Sequence, residues 1–258
     1  MQDKINLLLT ISYMGTNYSG WQVQPKKSTI QGEIEKVFEK IFNEKISVVG
    51  SGRTDAGVHA LFARANVLLP KSFLLKHFVK NEKYDFNKLI NSINRLLPAD
   101  IRILKVKRVS LSFNARFSAK CKTYRYVLQS GGILSPFDAL TTAFVAEKLN
   151  IKEMQKAGEF LVGEHDFTAF CSAQTACTDH VRTIYDLSVK SAGNKVYIDI
   201  TGNGFLYNMV RIIVGTLVMV GTNKIPASEV KTILESKNRS LAGKTFPSHA
   251  LFLQKVKY

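Results

Sequence analysis

The stretch NMVRIIVGTLVMVG, residues 208 to 221, constrains the fold more than any other part of the chain. It is apolar on nearly every side, so as a helix it has no face to offer water and must be enclosed by other elements. It is also too short for a bilayer, which takes about 20 apolar residues, and no other apolar run reaches that length. The rest of the 258 residues must therefore supply the cover. A chain of that length can bury such a core in one or two domains of about 100–150 residues each. The one charge in the stretch is Arg211. A guanidinium stays protonated, so at this place it needs either an acidic partner across a cleft or a route for its tip to the helix edge.

The covering elements alternate in type. Ile5, Leu7, Leu9, Ile11 and Tyr13 follow the period of a half-buried strand. After a loop holding the only tryptophan, Trp21, the segment STIQGEIEKVFEKIFNEK predicts a helix. Ile30, Ile34, Val37, Phe38, Ile41 and Phe42 share one face of it, and Ser28 with Gln31 fits a capping box. Ile46, Val48 and Val49 predict a short strand running into GSGRTDAGVH, residues 50 to 59. A second apolar stretch runs from Ala65 to Leu69 and ends at Pro70, a helix follows that stops before Pro98, and IRILKVKRVS predicts a strand. From about Ser110 the pattern restarts. KTYRYVLQ predicts a strand, NIKEMQKAGEFLVG a helix capped by Asn150, and DLSVKSAGNKVYIDITG a hairpin turning at Ala192–Asn194. PASEVKTILESKN predicts a last helix and LFLQKVKY a closing strand. Both halves mix strands and helices, so the expected class is α+β, with domains at 1–108 and 109–258.

Charge narrows the partners. Lys and Arg outnumber Asp and Glu 36 to 20, a formal net charge of +16. Such an excess attracts polyanions, and it is spread along the chain rather than gathered in a membrane-facing block, so nucleic acid is the expected partner. The N-terminus lacks a signal-peptide pattern, and three cysteines are too few and oddly numbered for a disulfide framework, so the expected compartment is a reducing cytosol. Aromatic and basic residues interleave at Phe113, Arg116, Phe117, Lys120, Lys122, Tyr124, Arg125 and Tyr126, a plausible RNA platform of which half belongs to any strand's inward face.

The glycines of GSGRTDAGVH suggest a phosphate loop, but the spacing refuses it. After Gly50 and Gly52 the third position of a dinucleotide fingerprint is Asp55, and where a P-loop needs lysine after Gly57 stands Val58. A turn in which Thr54 or Asp55 caps the next segment is the plain reading. A second polar cluster, HDFTAFCSAQTACTDH, offers His165, Cys171, Cys177 and His180 as zinc ligands. Its spacing matches no common finger and contains no Cys-x2-Cys pair, so no metal is expected there.

The sequence as a whole resembles the tRNA pseudouridine synthase A family, through segments in the family's order. These are YMGTNYSGWQVQP, STIQGEIEKVF, GRTDAGVHA, FNARFSAKCKTYRYVL, LVGEHDFTAF, VRTIY and GNGFLYNMVRIIVGTLVMVG. One departure is LFARANV after His59, which lacks the family's glycine–glutamine pair. The resemblance implies two similar α+β domains whose antiparallel sheets join, with a catalytic cleft between them. It implies a homodimer in the cytoplasm that isomerises uridines of the tRNA anticodon arm without cofactor or metal. It makes Asp55 the nucleophile and Tyr124 the residue on which the base stacks, and it carries over Arg53 and Arg211. With Arg211 as partner of Asp55, one pairing accounts for both charges; Thr54 and Arg125, beside these residues in the two motifs, complete the expected substrate contacts. The competing expectations are an RNA-binding protein without catalysis and a zinc-stabilised RNA binder.

Overall fold

The computed structural model describes residues 4–172 and 178–258. The chain divides into two compact units, Met1–Lys120 with Leu253–Tyr258, and Cys121–Phe252. Each is α+β and built on an antiparallel sheet.

In the first unit β1 (Lys4–Tyr13) leads through a long loop to α1 (Ile30–Phe42), then β2 (Val48–Gly50) and β3 (His59–Pro70). A short α2 (Lys71–His77), the two-residue strands β4 (Val79–Lys80) and β5 (Lys83–Tyr84), α3 (Phe86–Leu96) and β6 (Ile101–Val109) follow. β1 lies between β3 and β6, with Leu7 opposite Val67 on one side and Arg108 on the other. The amphipathic reading of α1 holds: Ile30, Ile34, Val37, Phe38 and Phe42 are buried, and Ile41 is half-buried. Its cap is Thr29 rather than Ser28. Thr29 is extended, and its hydroxyl accepts from the Gly32 amide at 3.2 Å, satisfying one of the donors that a helix start leaves open. Asn43 ends the helix in the left-handed region. Phe38, Leu89 and Ile93 are fully buried, and each such side chain stabilises the fold by about 1.5–3 kcal/mol.

The period-two reading of β1 is only half the story. Ile5, Leu7, Leu9, Ile11 and Tyr13 are buried, but so are Asn6, Leu8 and Thr10 between them. At Asn6 the second face is met by the loop after β6, and at Thr10 by the Arg64 side chain. Asn6 Nδ2 donates to the carbonyls of Ser110 and Phe113, both at 2.9 Å, and Asn6 Oδ1 accepts from Asn66 at 3.0 Å. Asn66 Oδ1 in turn accepts the Ala115 amide at 2.8 Å. Two buried asparagines thus satisfy each other and a loop's main chain.

In the second unit β7 (Cys121–Ser130) carries a parallel β8 (Ala143–Val145). Then come α4 (Ile151–Glu159), β9 (Gly163–Asp166), β10 (Val181–Ala192), β11 (Lys195–Gly202), α5 (Met209–Gly221) and α6 (Glu229–Ser236). The strands run in the order β7, β11, β10, β9, all antiparallel. Asn150 caps α4 as expected, its side chain accepting from the Glu153 amide. The apolar stretch is α5, and every residue of it is buried except Arg211 and Met219, which are half-buried. Among the described residues no helix is long and apolar enough to cross a membrane.

The last strand, β12 (Leu251–Lys257), neighbours β3. The Lys120 amide donates to the Lys257 carbonyl at 2.9 Å, the Tyr258 hydroxyl donates to the Ala115 carbonyl at 3.2 Å, and Phe113 meets the Tyr258 ring edge-on at 5.0 Å. These contacts and the Asn6–Asn66 network bind residues 110–120 and the C-terminus into the first unit. The expected boundary at 108 therefore falls inside that unit, and the closing strand returns to it instead of ending the second.

Candidate active site

The Gly-rich stretch folds as a clamped turn. β2 ends at Gly50, where a Cβ would lie 2.5 Å from the buried Trp21 indole, so only glycine fits. The Trp21 amide donates to the Thr54 carbonyl at 3.0 Å, and the Ser51 amide to the Arg64 carbonyl at 2.8 Å. Asp55 opens a tight turn: its carbonyl accepts from the Val58 amide at 3.2 Å, with Gly57 at φ 78° in the third position. That positive φ is what a type II turn demands, and glycine meets it without strain. The Gly57 amide reaches the Tyr18 carbonyl at 3.4 Å.

Side chains brace the same turn from below. The Thr54 hydroxyl lies 2.8 Å from the Tyr13 hydroxyl, in a pair that is buried throughout. Burial pushes the Tyr13 phenol well above its ordinary range, so it stays neutral. His59, 1% exposed, accepts the Gly15 amide on Nδ1 at 2.9 Å, which requires that nitrogen to be unprotonated. Tyr18 donates to Asp100 at 2.5 Å, fixing the loop that carries Trp21. Burial and the Asp100 carboxylate both push the Tyr18 phenol up. On this base Asp55 stands half-buried and Arg53 exposed. Arg53, Thr54 and Asp55 are brought together because they are consecutive, and Thr54 is the one turned into the fold. Sequence reasoning passed over Tyr13, Tyr18, His59 and Asp100; the signal available was the neighbouring GTNYSGW loop with its lone tryptophan.

The other expected site residues lie in the second unit. Tyr124, on β7, is half-buried and meets Phe205 edge-on at 5.3 Å and 89°. It lies on the same strand face as the fully buried Tyr126 and Leu128. Arg125, on the opposite face, pairs with Asp199 across the sheet through two hydrogen bonds of 2.7 Å, and its guanidinium sits over the Tyr197 ring at 5.4 Å. The Asp199 bond raises its pKa further. Arg211 stands in the first turn of α5. Its Nε donates to the Phe246 carbonyl at 2.6 Å and its Nη1 to Asn208 at 2.7 Å, so the guanidinium plane is set by two acceptors.

The polar cluster after Leu161 is used differently. Asp166 accepts from the Thr168 amide and hydroxyl at 3.0 and 2.6 Å, and from Lys237 at 2.8 Å. The lysine and the threonine hydroxyl hold its carboxyl down at about 2. His165 lies 3.0 Å from the Val162 carbonyl, and His180 lies 2.8 Å from the Thr168 hydroxyl. Cys171 is buried, and Cys177 lies outside the described residues. Among the described residues no group of three His, Cys, Asp or Glu is placed to hold a metal.

A carboxylate raised on a clamped turn, in a basic α+β chain with half-buried aromatics, defines a candidate enzyme acting on nucleic acid. Comparison with known proteins gives the family. The sequence profile described as tRNA pseudouridine synthase matches residues 9–118 and 157–258. A protein named tRNA pseudouridine synthase A from Brevibacillus brevis is 44% identical over 252 residues, 98% of this chain and 99% of that one. Proteins of the same name are 42% identical over 253 residues in Thermoanaerobacter sp. strain X514, with 98% and 99% covered, and 43% over 249 in Shouchella clausii, with 96% and 91% covered. The chain belongs to the tRNA pseudouridine synthase family.

Proposed function

We propose that this chain isomerises uridine to pseudouridine in the anticodon arm of tRNA, with Asp55 as the catalytic carboxylate. The observation that carries the reading is the clamped turn at residues 51–58, in a chain whose relatives match it over nearly their full length. The reaction detaches uracil from ribose, rotates it and rejoins it through carbon. The base must leave its stack for this, and a stacking partner offsets part of the cost. Tyr124 takes that role, contributing about 1–3 kcal/mol as base–aromatic contacts do.

Asp55 acts ionised, as nucleophile or base, and an arginine beside a carboxylate favours that form. Arg211 is the proposed partner; a double-mutant cycle on the two in which the effects simply add would remove it. Arg53, exposed on the turn, contacts phosphate or props the displaced stem, and Thr54 holds the turn through Tyr13. Arg125 contributes to the substrate surface while engaged with Asp199. The protein is proposed to work in the cytoplasm as a homodimer, with one tRNA reaching across both subunits.

The test is to incubate the purified chain with unmodified tRNA carrying tritium at uracil C5. Rejoining through C5 expels that hydrogen, so time-dependent tritium release is expected. Release that never rises above the no-enzyme control would remove the proposed activity.

A further inference from the structure

The most exposed aromatic side chain of the first unit is Phe117, 80% exposed, with the Arg116 guanidinium over its ring at 5.6 Å from the centroid. Large apolar side chains set this far into water on a mobile loop mean little, but this loop is rigidly held. Asn114 Oδ1 accepts the amides of both Arg116 and Phe117, at 2.9 and 3.3 Å, and the Ser118 amide returns to the Asn114 carbonyl at 2.9 Å. The preceding residues hang on the buried Asn6 and Asn66, and the Ala115 carbonyl is bound by Tyr258. The fold spends two buried asparagines and the chain's last residue on holding a turn whose tip buries nothing. The surroundings name the partner's charge: residues 101–120 contain Arg102, Lys105, Lys107, Arg108, Arg116 and Lys120 and no acidic residue. Of these only Arg102 is not exposed.

From this geometry we propose that Phe117 and Arg116 form a preorganised platform for the RNA, an unpaired or stem-end base stacking on the ring and Arg116 taking a neighbouring phosphate. The platform rests on the RNA-directed function proposed above and adds a positioning site to it. A ring has a face for any base, so the contact places the RNA without reading its sequence. Because the loop is already ordered, little conformational freedom is lost on binding. Leu111, 58% exposed, and Leu104, 47% exposed, are further apolar side chains in this stretch, so a protein partner is the alternative that the test must separate.

Phe117→Tyr keeps an aromatic face, whereas Phe117→Leu keeps apolar bulk and loses stacking. Affinity for unmodified tRNA is measured by filter binding, beside steady-state turnover and sedimentation. Phe117→Leu and Phe117→Ala should weaken tRNA binding by about 5- to 150-fold, the span that loss of one stacked base gives. Phe117→Tyr should bind like the wild type, and the loss should fall more on KM than on kcat. Arg116→Gln should lower the salt slope of binding by about one. Wild-type affinity in Phe117→Leu, or a change confined to sedimentation, would overturn the platform. Binding is read apart from turnover, so tRNA held through Phe117 by a chain that releases no tritium would overturn the activity and keep the platform.

Discussion

The turn at 51–59 and the segment at 163–168 are built from the same kinds of residue, an aspartate with threonine, histidine and glycine near it, and they are held in different ways. Asp166 gives its carboxylate to the fold, accepting from Thr168 twice and from Lys237. At 51–58 the turn itself is what is held: Asp55 contributes its carbonyl to it, and Trp21, Tyr18, Tyr13 and the close approach at Gly50 clamp it. The lesson is that residue type does not mark a chemical site. Under the function proposed above, what marks it is a carboxylate set on a turn that other residues have been recruited to hold.

Replacing Gly50 attacks the clamp. Gly50→Ala drives a methyl group into the indole of a buried tryptophan, at 2.5 Å. Overpacking of this kind costs about 1–3 kcal/mol. The melting temperature should fall, and activity should fall with it, because Trp21 also holds the Thr54 carbonyl. An alanine variant that melts and turns over like the wild type would mean that the turn is not held from below.

Replacing Asp166 touches the other side of the comparison and should do less. Its carboxyl is held at about 2 against an ordinary 3.8, so its contribution is complete above about pH 5 and disappears as the pH falls through 2. Lys237 is 60% exposed on its side chain, and such pairs contribute roughly 0–1 kcal/mol. Asp166→Asn should therefore lose no more than about 1 kcal/mol at neutral pH, less in high salt, with a shallower loss of stability on acidification and activity retained. A collapse of turnover in Asp166→Asn at neutral pH would put chemistry at the second cluster as well.

The sequence made the elements legible where a single physical cause sets them. The face of α1 follows from its apolar spacing, and the enclosure of α5 follows from having no polar side. The Asn150 cap and the hairpin at Ala192–Asn194 were equally plain. Legibility failed where a distant segment supplies the partner. Asn6, Leu8 and Thr10 read as an outer face because nothing local shows that Asn6 will meet residues 110–113 or that Thr10 will meet Arg64. The return of the last strand to the first unit has the same origin, since Lys120 and Ala115 receive it from 137 and more residues away. At the candidate site the motif singles out Asp55, the proposed carboxylate, whereas Tyr13, Tyr18 and His59 stand out only where the turn rests on them.

The central claim is that the Asp55 carboxylate serves chemistry, on a turn clamped by Trp21, Tyr18 and the Thr54–Tyr13 pair. Its most direct test is tritium release by Asp55→Asn beside its circular dichroism and tRNA affinity. The account predicts a folded protein that still binds tRNA and whose turnover drops by more than about a thousandfold, as loss of a catalytic nucleophile does. Appreciable tritium release by Asp55→Asn would contradict it, and so would a variant that fails to fold.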